Sequence, residues 1–443
     1  MLNPVLALLA IAVWIVMIGC GQQLDDDPAT VTRLAPTPGL DSHVFPCGPP
    51  YWEPSIPYSD KFVEWTPDGS RLVFSHRTAI FVVDAFGAQL RMLVNANPGD
   101  YRFKYGFHAD MSPDGRQVVF SACDYPWELQ FLNAKISNAL LTLPVYFPDD
   151  YDVALISIDG GAPQRLTDNP LLDHFPAWSP NGTRIAFIAS IDKGEDPLSG
   201  YTLFTMAADG SNVQEVESTR FQIRVAAAPL VWSPDEEWLA FLVNEGGYGQ
   251  GGVLKKNLFK VRPNGRELTL LAEDVVSAAS WSPDGQRLTV AKYVGDGVGL
   301  LTLLDDGSGQ KLIATITSRN AFLERHGLYQ GLIRTVSWSP DGTQILYSCD
   351  NVVCTVYVAD GRVTRLVEEV ANWGGDQYVA TWSPDGMRIA LYTPGVPEYP
   401  NIDKYSIPPA LFTVERDGTG RRDLIQLNDD GRLAPANPPR EGS

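Results

Sequence analysis

Along most of the chain, short apolar runs alternate with clusters of Pro, Asp, Asn and Gly. The runs are Arg71-Leu-Val-Phe74, Gln117-Val-Val-Phe120, Arg184-Ile-Ala-Phe187, Trp238-Leu-Ala-Phe241, Arg287-Leu-Thr-Val290, Gln344-Ile-Leu-Tyr347 and Arg388-Ile-Ala-Leu391. Each is rich in β-branched or aromatic residues and largely apolar, the pattern of a strand covered on both faces. Just before each run stands a five-residue core. The cores are Trp65-Thr-Pro-Asp-Gly69, Met111-Ser-Pro-Asp-Gly115, Trp178-Ser-Pro-Asn-Gly182, Trp232-Ser-Pro-Asp-Glu236, Trp281-Ser-Pro-Asp-Gly285, Trp338-Ser-Pro-Asp-Gly342 and Trp382-Ser-Pro-Asp-Gly386.

The core reads as a turn. Pro presets φ at the first turn position and Gly accepts the left-handed conformation that closes a three-residue hairpin. Met111 in place of Trp is a packing substitution by an adaptable side chain. Glu236 in place of Gly predicts a strained or remodelled turn. A second turn follows in every unit, at Phe86-Gly87, Asp159-Gly160, Asp209-Gly210, Asn264-Gly265, Asp306-Gly307, Asp360-Gly361 and Asp417-Gly418. Core starts are separated by 46, 67, 54, 49, 57 and 44 residues, close to the ~40–50 residues of a four-stranded propeller blade. Two turn signals agree on seven units. The fold class this predicts is all-β: a seven-bladed β-propeller with four-stranded antiparallel blades over residues 51–427, and a flexible polar tail over 428–443.

The repeated Trp-Ser-Pro-Asp-Gly core followed by an apolar strand resembles the repeats of TolB-type propellers, across roughly residues 57–427. The resemblance implies a fold used by envelope scaffolds, by gating domains of prolyl oligopeptidases and by polysaccharide lyases, some of which use His-coordinated manganese. TolB itself carries six blades behind an α/β domain; here there are seven units, with about fifty residues before them.

Residues 2–19 are almost wholly apolar and end at Cys20, with the polar stretch 21–27 following, as in a signal peptide. Met17-Ile18-Gly19-Cys20 resembles the lipobox of bacterial lipoproteins, which implies lipidation of Cys20 and a periplasmic or extracellular, membrane-anchored protein. The first basic residue is Arg33, so an uncleaved anchor is the other reading. Residues 21–50 read as a polar, Pro-rich linker. In an exported chain the four remaining cysteines suggest two disulfides. Cys349 and Cys354 flank a turn at 350–353 that would set them opposite each other, leaving Cys47 to pair with Cys123. A formal charge of -19 disfavours nucleic-acid partners.

The short turns mark one end of the units, and the long insertions 121–152, 189–200, 244–256, 314–334 and 393–409 all belong to the other. Loops on a rigid scaffold are where binding surfaces usually sit. Tyr125, Trp127, Phe131, Tyr146 and Phe147 in the largest insertion would suit sugar or peptide stacking, or a small satellite core under the loop. Lys61, His108, Asp173, His174, Arg334 and Tyr378 fall near the starts of the inner strands, at the mouth of a channel. There they form a polar ligand site or simply solvated channel groups. The two histidines with Asp110 and Asp173 permit a metal, but no recognised metal spacing is present. No Gly-x-Ser-x-Gly elbow occurs.

The expectation is a non-catalytic cell-envelope protein without a cofactor that engages a protein or glycan partner through the loop-rich face. The alternative is a lyase-like, carbohydrate-active enzyme with a divalent metal in the channel.

Overall fold

The computed structural model describes residues 62–76, 79–95, 109–123, 151–169, 171, 173–190, 201–216, 219, 230–245, 255–277, 279–294, 297–316, 333–349, 352–367, 378–393, 396–398, 401–428 and 433–436. The chain divides at Asp41/Ser42, and everything before the divide, with Cys20 and the expected leader, lies outside the described residues. The described residues are all-β, with no α-helix among them.

Each repeat lays down antiparallel strands in chain order. The first sheet runs Val63–Trp65, Arg71–His76, Ala79–Asp84, Arg91–Asn95, and the second Ala109–Met111, Gln117–Cys123, Tyr151–Ser157, Gln164–Arg165. The third runs Asp173–Trp178, Arg184–Ser190, Tyr201–Ala207, Gln214–Glu215. The fourth repeat (Val231–Trp232, Leu239–Glu245, Lys255–Val261, Thr269–Val275) and the fifth (Ser280–Trp281, Arg287–Val294, Gly297–Leu304, Lys311–Ile316) merge into one eight-stranded sheet through the single pair Val275↔Lys292. The sixth comprises Ile333–Trp338, Gln344–Cys349, Val352–Tyr357 and Val363–Val367. The seventh comprises Val379–Trp382, Arg388–Thr393, Ala410–Glu415 and Arg422–Leu427, and its insertion folds into a ribbon of Val396–Glu398 with Asn401–Ile407.

The sequence core builds a four-residue loop, one residue longer than expected. Thr66 N–H donates to Arg71 O at 2.9 Å, Gly69 N–H returns to Thr66 O at 2.8 Å, and Gly69 takes φ +68. What closes it is the hydroxyl before the proline. Ser112 Oγ donates to Asp114 Oδ1 at 2.6 Å and accepts Gln117 N–H at 2.9 Å. The same clamp recurs in all seven units, with Thr66 serving in the first and Asn181 taking the carboxylate's place in the third. Donors around the carboxylate favour its charged form. The Thr66 hydroxyl, with the donors of Ser70, thereby holds Asp68 down at about 2.

Glu236 keeps this geometry instead of remodelling it, at φ 61. Its side chain accepts Asn181 N–H at 2.6 Å and approaches Arg184 at 3.5 Å, so it clasps the preceding turn. Strain and clasp therefore oppose each other. Glu236→Gly should shift the melting temperature little, whereas Glu236→Ala, which keeps the strain and loses the clasp, should destabilise by about 1–2 kcal/mol; thermal unfolding of both variants checks the order.

Apolar faces of neighbouring sheets fill seven clusters, each drawn from two repeats. Val73, Ile80 and Val82 meet Val118, Phe120 and Ile156. The series continues through the later pairs. The last cluster joins Ala390, Tyr392, Leu411 and Leu424 of the seventh repeat to Trp65, Leu72, Phe74 and Val83 of the first. His76 Nδ1 lies 2.6 Å from Tyr392 Oη across this seam. Gly87 sits there so tightly that a Cβ would come within 2.7 Å of Leu424 O, which explains the glycine.

Two expectations are corrected. The tail from 428 contributes a fifth strand, Leu433–Pro435, on Arg422–Leu427, with Ala436 N–H bound to Leu424 O at 2.9 Å. Cys354 is a free, buried thiol. Strand pairing sets Cys349 opposite Val352 and Cys354 opposite Tyr347, so the two cysteines do not face each other as the expected bridge requires. Cys47 lies outside the described residues; Cys123 ends a strand opposite Tyr151.

Candidate functional site

The first strand of each repeat carries its Trp, or Met111 in the second, toward a seam, so by alternation the residue before it faces the other way. In the seven repeats that position reads Glu64, Asp110, Ala177, Val231, Ser280, Ser337 and Thr381. Only the first two are ionisable. Glu64 Oε2 accepts Met111 N–H at 3.0 Å and Asp110 Oδ2 accepts Trp178 N–H at 2.6 Å, so each carboxyl laces its repeat to the next.

Burial, followed by the neighbouring Asp110 charge, pushes Glu64 well above the usual carboxylate range. Burial raises Asp110 to about 7. Two half-buried carboxyls that repel each other favour keeping a proton, an arrangement able to donate or accept a hydrogen bond to a ligand. The sequence expectation places Asp110 only beside a metal and does not include Glu64. Aligning the residues before the six Trp and Met111 of the repeat cores finds both.

Asp173 and His174 open the inner strand of the third repeat. Asp173 is fully buried and not a solvated mouth residue; its Oδ2 accepts Asn169 Nδ2–H at 2.8 Å. Burial raises it to about 7, and the charge of Asp152 adds to the effect. Burial likewise lowers His174 to about 4, so its imidazole is neutral near pH 7. Phe175 follows at φ 54, where the strand bulges against Ala186 and Ile188. Bulges re-aim side chains, and a left-handed Phe is strained, a combination common beside functional sites.

Tyr378 is 8% exposed, with its ring edge-on to Phe412 at 6.1 Å inside the seam of the sixth and seventh repeats. It is a core residue, and burial raises its phenol. Arg334 lies on the strand Ile333–Trp338. Lys61, His108, Tyr125, Trp127, Phe131, Tyr146 and Phe147 lie outside the described residues.

No protein-family model matches the chain. An oligogalacturonate lyase in complex with manganese aligns over 79% of this chain and 86% of its own, at 11% identity and a TM-score of 0.54. The oligogalacturonate lyase of Vibrio parahaemolyticus gives 0.51 at 10% identity, covering 76% and 88% of the two chains. TolB from Acinetobacter baumannii gives 0.42 at 15% identity, with 84% and 80% covered. The likeness is one of fold.

Manganese would need a set of donors. Among the described residues no three His, Cys, Asp or Glu side chains converge, and the Glu64–Asp110 pair offers two carboxyls alone. These groups do not by themselves fit such a centre, and no chemistry is routed through one.

Proposed function

We propose that the seven repeats close into a seven-bladed β-propeller with four strands per blade, carried outside the cytoplasm behind a leader ending at Cys20. In this reading it is a cell-envelope binding or scaffold protein that grips a protein or glycan from the insertion-bearing end.

The supporting observation is the contrast between the two ends. Seven hydroxyl clamps, six on a carboxylate and one on the Asn181 amide, make one end uniform and short. The opposite end receives every long connection, carries the bulged strand at Phe175, and departs from the repeat at Asp152 and Asp173. A rigid scaffold with its irregularity concentrated at one end is what loop-borne recognition requires.

The second reading is a carbohydrate-active lyase, favoured by the two lyase folds above a TM-score of 0.5. Calorimetry against polygalacturonate and peptidoglycan fragments, with chelator or with added manganese, separates them. The binding reading expects an interaction that survives chelation, weakens at least about tenfold when Tyr125, Trp127 and Phe131 become Ala, and ignores His108→Ala with His174→Ala. Appearance of an unsaturated uronate product only with manganese, abolished by the histidine changes, would overturn it in favour of the lyase.

A further inference from the structure

At the end of its third strand nearest the insertions, each repeat offers an equivalent position. Strand pairing aligns Ala79, Asp152, Thr202, Asn257, Gly299, Val352 and Ala410. Only the second repeat places an ionisable group there. In the third, Thr202 meets the Thr219 hydroxyl at 2.9 Å, and that hydroxyl accepts Leu203 N–H, so the pocket closes with neutral partners. The second repeat keeps the frame, with Thr167 Oγ1 accepting Val153 N–H at 2.9 Å and donating to Asp152 Oδ1 at 3.2 Å. A buried carboxylate thus stands where its sister unit manages with a hydroxyl.

Asp173 adds a second carboxyl to the same place. Thr167 bears on it as well as on Asp152, and Asn169, two residues along, holds Oδ2. The Asn169 amide cannot turn to serve differently, because its oxygen accepts Leu171 N–H at 2.8 Å. Arg165 forms an ion pair with Asp152 Oδ2 and reaches the exposed Asp168 at 3.3 Å. Asp173 Oδ1 is buried with no hydrogen-bond partner among the described residues. Asp152 is thus matched by a guanidinium, whereas Asp173 Oδ1 has no donor among the described residues. Such a group carries a desolvation cost that no described donor offsets. A proton on Oδ1 would place a donor where no described acceptor waits. A cation would meet the whole deficit.

We propose that Asp173 and Asp152, with the Thr167 hydroxyl beside both, form a binding site for calcium or a similar hard divalent cation in the seam between the second and third repeats. The donors are all oxygen, as such ions prefer, and waters or carbonyls complete the shell. Asp152 contributes Oδ1 while Oδ2 stays with Arg165. The ion would pin the inner strand of the third repeat to the third strand of the second, at the root of the 124–150 insertion, and would be structural. It does not depend on which partner the protein binds.

The test uses the full-length protein stripped with chelator. Calcium chloride alone should raise the melting temperature by several degrees through mass action, and magnesium should raise it less. Terbium should bind with aromatic-sensitised luminescence that calcium displaces. Asp173→Asn, which is isosteric and removes the unmatched charge, should raise the metal-free melting temperature and abolish the calcium response; Asp152→Asn should abolish the response. Thr202→Val in the sister unit should leave it intact. Absence of both a calcium shift and terbium luminescence in the parent protein would overturn the proposal, as would an undiminished calcium response in Asp173→Asn.

Discussion

Tyr392→Ala should destabilise the protein by about 3–5 kcal/mol, as much as Phe187→Ala inside an ordinary seam. Tyr392 is fully buried, its ring centroid lies 5.3 Å from that of Phe74, and its hydroxyl lies 2.6 Å from His76 Nδ1. All of these contacts cross from the seventh repeat to the first, 316 residues away for His76. Among the described residues no strand is exchanged between those two repeats, and the strand Leu433–Pro435 adds to the edge of the seventh sheet. Closure therefore rests on side-chain packing, together with Gly87 against Leu424 and Arg388 stacked 4.9 Å over Trp65. Tyr392→Phe keeps the packing and loses the bond to His76, and should cost about 1–3 kcal/mol. Urea denaturation reads both; a Tyr392→Ala cost below about 1 kcal/mol would mean the seam carries no load.

Asp110→Asn should make the protein more stable at pH 8, by about 1–2 kcal/mol after allowance for solvent at the strand edge, and should flatten its pH dependence. Asp110 is raised to about 7 from a carboxylate's usual value near 4. The folded state therefore binds a proton that the unfolded chain has released across that interval. The associated stability is complete below about pH 4 and is lost as pH rises through about 7. Asn keeps an oxygen to accept Trp178 N–H, so the lacing survives. Glu64, raised chiefly by burial and then by Asp110, should move back toward its ordinary range in the variant.

The turn clamps work in the opposite direction. Their carboxylates are depressed, Asp68 to about 2 and Asp341 lower still beside Arg416, so their contribution is lost only as pH falls below about 4. Melting temperatures of the parent protein should accordingly rise from pH 8 toward pH 5 and fall again in stronger acid, and Asp110→Asn should remove most of the first limb. A parent protein whose stability rises from pH 5 to 8 would contradict this reading of the Glu64–Asp110 pair.

The repeat was legible because local chemistry and global packing agree. Proline, glycine and an apolar strand recur together, and each strand needs a neighbouring repeat to cover it. The role of the hydroxyl before proline was less visible: Ser112 and its equivalents act through a side-chain bond five residues along, which composition does not show. The site was read less well. Asp173 and Tyr378 are polar residues at strand starts, and strand order alone does not say whether a strand start faces solvent or a seam. Glu64 and Asp110 announce themselves only when the seven units are compared with one another, since a lone acid before Trp65 or Met111 is ordinary by itself. The pairing of Cys349 with Cys354 failed on register, since the strand partner of Cys349 is Val352.

Everything above the level of the single repeat depends on the seventh sheet meeting the first. Electron cryomicroscopy of the purified chain, with class averages viewed along the axis, reports this directly. Seven lobes around a continuous ring are expected, with no wider gap between the repeats at 62–95 and 378–427 than between any other two. Six lobes, or an arc open at that seam, would contradict it.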